Sequence, residues 1–303
     1  MSLPARGDAL QEPVQPAWNT VWVSGMIDTW GLPSESRQKG EARLQAPGRL
    51  KILGTGFDPV TLAEAVARVE AMIGGPRREA GPGLVVTANP EIVQAARRDP
   101  QLQTILEQAD LVLPDGIGVV WAGRVLGLRF PERVSGADLV EDLLERGAGP
   151  GWRFFFLGGR PAAGGNPSVA EAAASNAERR YPGVRAAGFM HGYFPPSEDA
   201  GVVQAINESG ADVLLVGMGA PRQERWMWRH RGRLSVSACI GVGGTLDVLS
   251  GAVKRAPPAF RRVGLEWFYR LITQPSRFRR MLSLPVFAAG VLRERFWRDA
   301  RER

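Results

Sequence analysis

The chain has 303 residues, 44% of them hydrophobic and 23% charged, with a net charge of +7. That size and apolar content suit one large α/β domain or two small ones. One cysteine, Cys239, excludes a disulfide framework, and His191 and His230, far apart and without a Cys or carboxylate ladder, argue against a His/Cys metal site.

Residues 1–48 are broken by proline, glycine and charge and show no apolar h-region, so they read as a poorly ordered extension without a signal peptide. From Leu50 short apolar runs alternate with helical patterns. Strands are expected at Leu50–Leu53, Leu84–Thr87, Asp110–Leu113, Arg153–Leu157, Val184–Ala187, Asp212–Val216 and Ser235–Ile240. Thr61–Ile73 is the clearest helix: Leu62, Ala65, Val66, Val69 and Ile73 share a face, and Thr61 with Glu64 makes a capping box. Another starts at Ser135 with Asp138. Alternating strands and helices predict an α/β fold with a mostly parallel sheet covered on both faces, and ligands bind outside the carboxyl ends of such strands. A boundary near Arg255 divides the body, 49–255, from a tail, 256–303.

The strand ends carry the informative segments. Gly54–Asp58 (GTGFD) has two of the three glycines of a dinucleotide fingerprint, with a helix starting too late for a pyrophosphate, and reads as a glycine-rich turn. In Thr87–Glu91 (TANPE), Asn89 before Pro90 is a good N-cap, and capping accounts for it as well as a ligand role does. Thr87 and Asn89 nevertheless point to the expected cleft. Pro114-Asp115-Gly116 is a turn signature; its functional reading is a carboxylate at the sheet mouth, placed to serve as a general base. Arg133, just before the helix at Ser135, is either a surface arginine or a partner for carboxylate or phosphate.

Two glycine-rich loops follow, Gly217–Trp226 (GMGAPRQERW) and Gly241–Asp247 (GVGGTLD). Gly217, Gly219, Gly241 and Gly243 let a ligand approach the backbone, and Pro221 opens a helix whose N-terminus favours phosphate. Gln223 is the better ligand candidate there; Glu224 reads as a favourable charge in the first turn. Neighbouring loops of this kind point to a nucleotide or sugar-nucleotide pocket. The tail is strongly cationic: residues 251–303 hold 13 Lys/Arg and 4 Asp/Glu, so the preceding 250 residues sum to −2. Its arginines are mixed with Phe260, Trp267, Phe268, Tyr269, Phe278, Phe296 and Trp297, which suits an anionic membrane face, a phosphate-bearing ligand or nucleic acid. Met281–Leu292, broken by Ser283, Pro285 and Gly290, is too short to span a bilayer.

Together TANPEIV, ADLVLPDGIGVV, PERVSGADL, HGYF (His191–Phe194), GMGAPRQE, GVGGTLDVLSGAVKRAP and LEWFYRLITQPSRFRR resemble the WecG/TagA/CpsF glycosyltransferase family, in the family's order over roughly residues 50–280. The resemblance implies a Rossmann-like body with a C-terminal appendage, and metal-independent, inverting transfer of a sugar from a UDP donor to a polyprenyl-diphosphate-linked sugar. It implies no cofactor, and a peripheral location at the cytoplasmic face of a bacterial membrane. It makes Asp115 the catalytic base, with Thr87 and Asn89 positioning substrate near it. Arg133, Gln223 and Asp247 correspond to the donor pocket, and Arg270, Arg277 and Arg280 to the appendage arginines that close over the site and neutralise diphosphate. N-acetylmannosamine is the first sugar expected; glucose and N-acetylmannosaminuronic acid transferases share the motifs. The long N-terminal extension and the Pro/Gly stretch after Gly158 depart from the pattern, the latter near the pocket. A basic nucleic-acid-binding protein and an NAD-dependent enzyme are the rival readings, weakened by the amphipathic tail and the missing third glycine. A homo-oligomer is left open.

Overall fold

The computed structural model describes residues 48–76, 78–257, 260, 266–273 and 282–302. Six strands, β3 (Gly83–Ala88), β4 (Leu111–Pro114), β5 (Arg153–Gly158), β6 (Arg185–Met190), β7 (Val213–Gly217) and β8 (Ala238–Gly241), form one parallel sheet in the order β4-β3-β8-β7-β5-β6. The α/β fold with a parallel sheet covered by helices is therefore as the sequence suggests.

Alternation along the strands explains the layers. Leu84, Val86, Phe155, Leu157, Leu214 and Val216 join one core cluster, whereas Val85, Phe154, Phe156, Val213 and Leu215 join the other. A strand with period two, buried on both faces, feeds two cores at once. The first core is covered by α2 (Pro90–Ala96), α3 (Pro100–Gln108), α4 (Ile117–Val125), α7 (Asp199–Ser209) and α8 (Arg222–His230). The second is covered by α1 (Leu62–Gly74), α5 (Gly136–Gly147), α6 (Val169–Arg180) and α9 (Thr245–Leu249). Helix α1 starts as expected, with Thr61 and Glu64 completing a capping box.

The first expected strand departs from the sheet. β1 (Leu50–Ile52) instead pairs antiparallel with β2 (Thr55–Phe57), so GTGFD is largely a hairpin. Leu53 and Gly54 occupy its two-residue turn with φ of 50° and 88°, the positive values that such a turn needs. Leu53 donates its N–H to Glu294 Oε2 at 2.9 Å. That carboxylate belongs to the terminal helix Ser283–Glu302, whose Phe287 and Val291 enter the first core. Pro285 is tolerated in its first turn. Gly290 meets the body where a Cβ would lie 3.2 Å from Leu53 and 3.3 Å from Arg97.

Asp58 guards the edge strand β4. Its Oδ2 accepts the N–H of Val112 at 2.7 Å and Arg49 Nε at 3.1 Å, and its Oδ1 accepts Arg68 Nη1 at 3.2 Å. Arg49 also donates to Leu106 O at the end of α3. One buried carboxylate thus ties the hairpin, α1, α3 and the sheet edge. Removing it leaves the Val112 N–H without its acceptor and takes a carboxylate partner from both guanidiniums. Asp58→Ala is expected to cost about 3 kcal/mol of stability, measured by urea unfolding; a loss below about 1 kcal/mol would reduce these contacts to ordinary surface pairs.

Candidate functional site

The parallel strands end level. Thr87 pairs with Leu113 and Ala88 with Pro114, while Val86 and Val216 both pair with Gly241. The first residues past β3, β4 and β8 therefore share one rim. There a cleft of about 390 Å³ opens, lined by Thr87, Asn89, Asp115, Arg133, Gly219, Gln223 and Gly243. The same lining includes Glu91, Ile117, Trp121, Ser135, Thr245, Glu266, Trp267, Leu284 and Phe287. A volume of that size is within the range of small-molecule sites.

Asp115 reaches the rim because its N–H bonds Ala88 O at 3.0 Å, stitching the end of β4 to that of β3. Gly116 follows with φ +94°, a conformation a side chain resists, and starts α4 without a side-chain cap. Asn89 Oδ1 caps α2 by accepting Ile92 N–H at 3.1 Å, which leaves its Nδ2 end for a ligand. Thr87 Oγ1 donates to Gly241 O at 2.8 Å, so toward a ligand that hydroxyl acts as an acceptor.

Gln223 forms the floor, with Glu224 beneath it. Gln223 Oε1 accepts Gly219 N–H at 3.1 Å and Gly243 N–H at 3.2 Å, joining the two glycine loops. Those two amides are therefore engaged within the protein. What the glycines contribute is close approach: at Gly241 a Cβ would fall 2.9 Å from Gln223 Nε2, and at Gly217 2.8 Å from Gly243 O. Glu224 lies in the first turn of α8, as expected from sequence, but is more than a favourable charge there. It is fully buried, with Oε1 accepting Gln223 Nε2 at 2.8 Å and Oε2 without a hydrogen-bond partner. Burial pushes its carboxyl up to about 7, against a smaller opposing effect of the Gln223 hydrogen bond.

Positive charge enters the cleft through Arg133. Its guanidinium lies 3.3 Å from Glu266 Oε2 and 3.5 Å from Asp138 Oδ2. Burial pushes the Asp138 carboxyl up, but the Ser135 hydroxyl and the guanidiniums of Arg255 and Arg133 outweigh it and hold it below the usual aspartate range. Arg255, at the root of the tail, pairs with both Asp138 and Glu141. Glu266 opens the helix Glu266–Thr273, so the tail contributes an anion to the cleft as well as the apolar Trp267, Leu284 and Phe287.

Asp247 lies in α9 outside the cleft lining, its carbonyl accepting from Ser250 Oγ and Val253 N–H, both at 3.0 Å. Gly217 and Gly241 sit one layer below the lining. Arg270 falls within Glu266–Thr273, while Arg277 and Arg280 lie outside the described residues. The HGYF segment lies outside the lining: Phe194 packs edge-on against Trp226, with centroids 6.4 Å apart. The Pro/Gly stretch after Gly158 also stays out of the lining, closing on an Ala163–Asn166 bridge. Sequence reasoning passed over Glu91, Ile117, Trp121 and Glu266. Ile117 and Trp121, four residues apart in a helix directly after Asp115-Gly116, were the legible signal; Glu266 carried none.

A sequence profile of the glycosyl transferase WecG/TagA/CpsF family matches residues 50–301. The chain is 38% identical over 209 residues to an N-acetylglucosaminyldiphosphoundecaprenol N-acetyl-beta-D-mannosaminyltransferase of Bacillus spizizenii, covering 69% of this chain and 78% of that one. A protein of the same description from Bacillus subtilis is 36% identical over 211 residues, covering 70% and 79%. Another, from Staphylococcus aureus, is 34% identical over 239 residues, covering 79% and 90%.

The buried Glu224 yields a stability prediction. Its folded value near 7 lies above the ordinary 4.5, so the folded state binds more protons between those values and stability falls as pH rises through that window. The full penalty, on the order of 3 kcal/mol, is reached above pH 7. Glu224→Gln removes it, so the melting temperature of the variant relative to the parent should climb from pH 5 to pH 8. A constant difference across that range would contradict a buried, titrating carboxyl.

Proposed function

Because the chain belongs to the WecG/TagA/CpsF glycosyl transferase family, we propose that it transfers N-acetylmannosamine from a UDP donor to a polyprenyl-diphosphate-linked sugar, with inversion and without a metal. The observation that carries this reading is the meeting, in one cleft, of Asp115 and Asn89 with Arg133 and the glycine loops. The relatives are named for a transfer onto N-acetylglucosaminyldiphosphoundecaprenol, which supplies the acceptor class.

In this mechanism the Asp115 carboxylate takes the proton of the acceptor hydroxyl as that oxygen attacks the anomeric carbon. The bond from that carbon to the diphosphate oxygen breaks, and UDP leaves with the electron pair. Attack from the face opposite the leaving group inverts the centre. Arg133 meets the departing diphosphate, its present partner Glu266 giving way to the ligand. Asn89 Nδ2 and Thr87 Oγ1 hold sugar hydroxyls near Asp115. Arg270, Arg277 and Arg280 add positive charge from the appendage, and Asp247 supports the loop beneath the donor.

We place the enzyme peripherally at the cytoplasmic membrane face, with body 49–255 and appendage 256–303. No described helix is long and apolar enough to cross a membrane. Supporting a surface position, Ile117, Trp121, Trp267, Phe268 and Ile272 are exposed, as are Leu282, Val286, Phe296 and Trp297 around the terminal helix. A concavity of about 740 Å³ along that helix brings together Arg97, Arg293 and Trp297, with Arg298 paired to Glu294 in the same lining; the guanidiniums of Arg97 and Arg293 suit anionic headgroups.

Asp115→Asn is expected to reduce kcat by at least 100-fold, the scale of lost general-base catalysis, while UDP still stabilises the protein thermally. Full turnover in that variant would remove Asp115 from the role. Exchanging Arg97 and Arg293 together for Glu should abolish co-sedimentation with phosphatidylglycerol vesicles without lowering the melting temperature; unchanged sedimentation would refute the headgroup role.

A further inference from the structure

We infer that Glu224 is a positioning residue for the transfer: its buried carboxyl fixes the orientation of the Gln223 side-chain amide and, through it, the spacing of the two glycine loops under the donor. The inference deepens the proposed function, since it rests on that cleft being the donor site.

A primary amide can sit in two orientations that differ only in which end holds the oxygen. At Gln223 the choice matters. The oxygen faces two N–H donors, those of Gly219 and Gly243; turned over, the NH2 group would face them donor to donor and leave both without an acceptor. Glu224 Oε1, 2.8 Å from Gln223 Nε2, rewards only the observed orientation. Consecutive helix residues ordinarily point about 100° apart and do not face each other. Here both turn inward, because the start of α8 lies beneath the ends of β7 and β8 and Gly241 leaves the room: a Cβ there would stand 2.9 Å from Gln223 Nε2 and 3.4 Å from Glu224 Oε1.

The same unit continues to the catalytic rim. Gly241 O accepts the hydroxyl of Thr87, and Thr87 precedes Asn89 by two residues. Glu224 therefore acts at one remove, since it does not line the cleft while Gln223 does. Packing alone does not call for a carboxyl at this position. A fully buried acid with one unpartnered oxygen is costly to keep, and an apolar side chain of similar volume would fill the space with less penalty. What the carboxyl supplies is an acceptor aimed at one atom.

The test compares Glu224→Met, Glu224→Gln, Gln223→Met and the double Met variant by donor KM, kcat and amide hydrogen exchange at Gly219 and Gly243. Glu224→Met should raise the donor KM about tenfold, the effect of about one lost hydrogen bond with its partner stranded, with a smaller change in kcat. Exchange at both glycines should quicken by a similar factor. Glu224→Gln, whose amide oxygen can replace Oε1, should keep KM and protection within about threefold of the parent. The double Met variant should be no worse than Gln223→Met, since the two residues act as one unit. Parent-like KM and protection in Glu224→Met, multiplying losses in the double variant, or loss of protection in Glu224→Gln would each overturn the inference. If Glu224→Met does not fold, the Glu224→Gln result decides alone. Exchange is read without substrate, so failure of the donor-site reading would appear separately, as UDP leaving the parent's cleft amides unchanged.

Discussion

The amide oxygen of Gln223 is the point on which the site depends. Two loops leave neighbouring parallel strands, β7 and β8, and neither has a strand partner beyond the last rung of the ladder. By accepting one N–H from each, at Gly219 and Gly243, Gln223 replaces the missing rung and sets the width of the cleft floor. The clasp requires close approach on both sides, of the Gly243 carbonyl to Gly217 and of the Gln223 side chain to Gly241, which accounts for glycine at both positions. It also engages the two amides that a glycine-rich loop most readily offers to phosphate. In the proposed transfer, diphosphate is then met mainly by guanidinium, and Arg133 lines the cleft.

The tail is the second dependency, and some of its described charges are paired within the protein. Arg255 pairs with Asp138 and Glu141, Arg298 with Glu294, and Glu266 with Arg133. Phe287 is buried in the first core and also lines the cleft. The terminal helix is thereby part of the wall, held at its far end by Glu294 on the Leu53 N–H. This arrangement couples the cleft to whatever the outer face of that helix touches. In the proposed docking, a surface carrying Phe296, Trp297 and Arg293 meets a membrane with the same helix that lines the cleft.

The sheet was legible in the sequence because buried parallel strands write themselves as short apolar runs separated by helical periods. Leu84–Thr87 and Asp212–Val216 are within a residue or two of what forms. Leu50–Leu53 misled for a local reason: four residues cannot show whether their partner lies in the next five or the next thirty, and the positive φ of Leu53 leaves no mark in its residue type. Asp115, Asn89 and Gln223 were legible in the segments following strands, where parallel sheets expose their ends, and Arg133 as a cation just before the helix at Ser135. Glu224 was not, because its burial follows from the tilt of α8 under two glycine loops, a tertiary fact. Glu266 was equally hidden, since no pattern in a cationic tail says which residue turns back toward the body.

A co-crystal structure with UDP tests the central claim most directly. The account predicts the diphosphate beside Arg133 and the Gly243–Thr245 loop, Glu266 displaced from the guanidinium, and Asp115 facing the space where the sugar would begin. A nucleotide seated instead at the ends of β5 and β6, beside Gly158 and His191, with Arg133 still paired to Glu266, would contradict it.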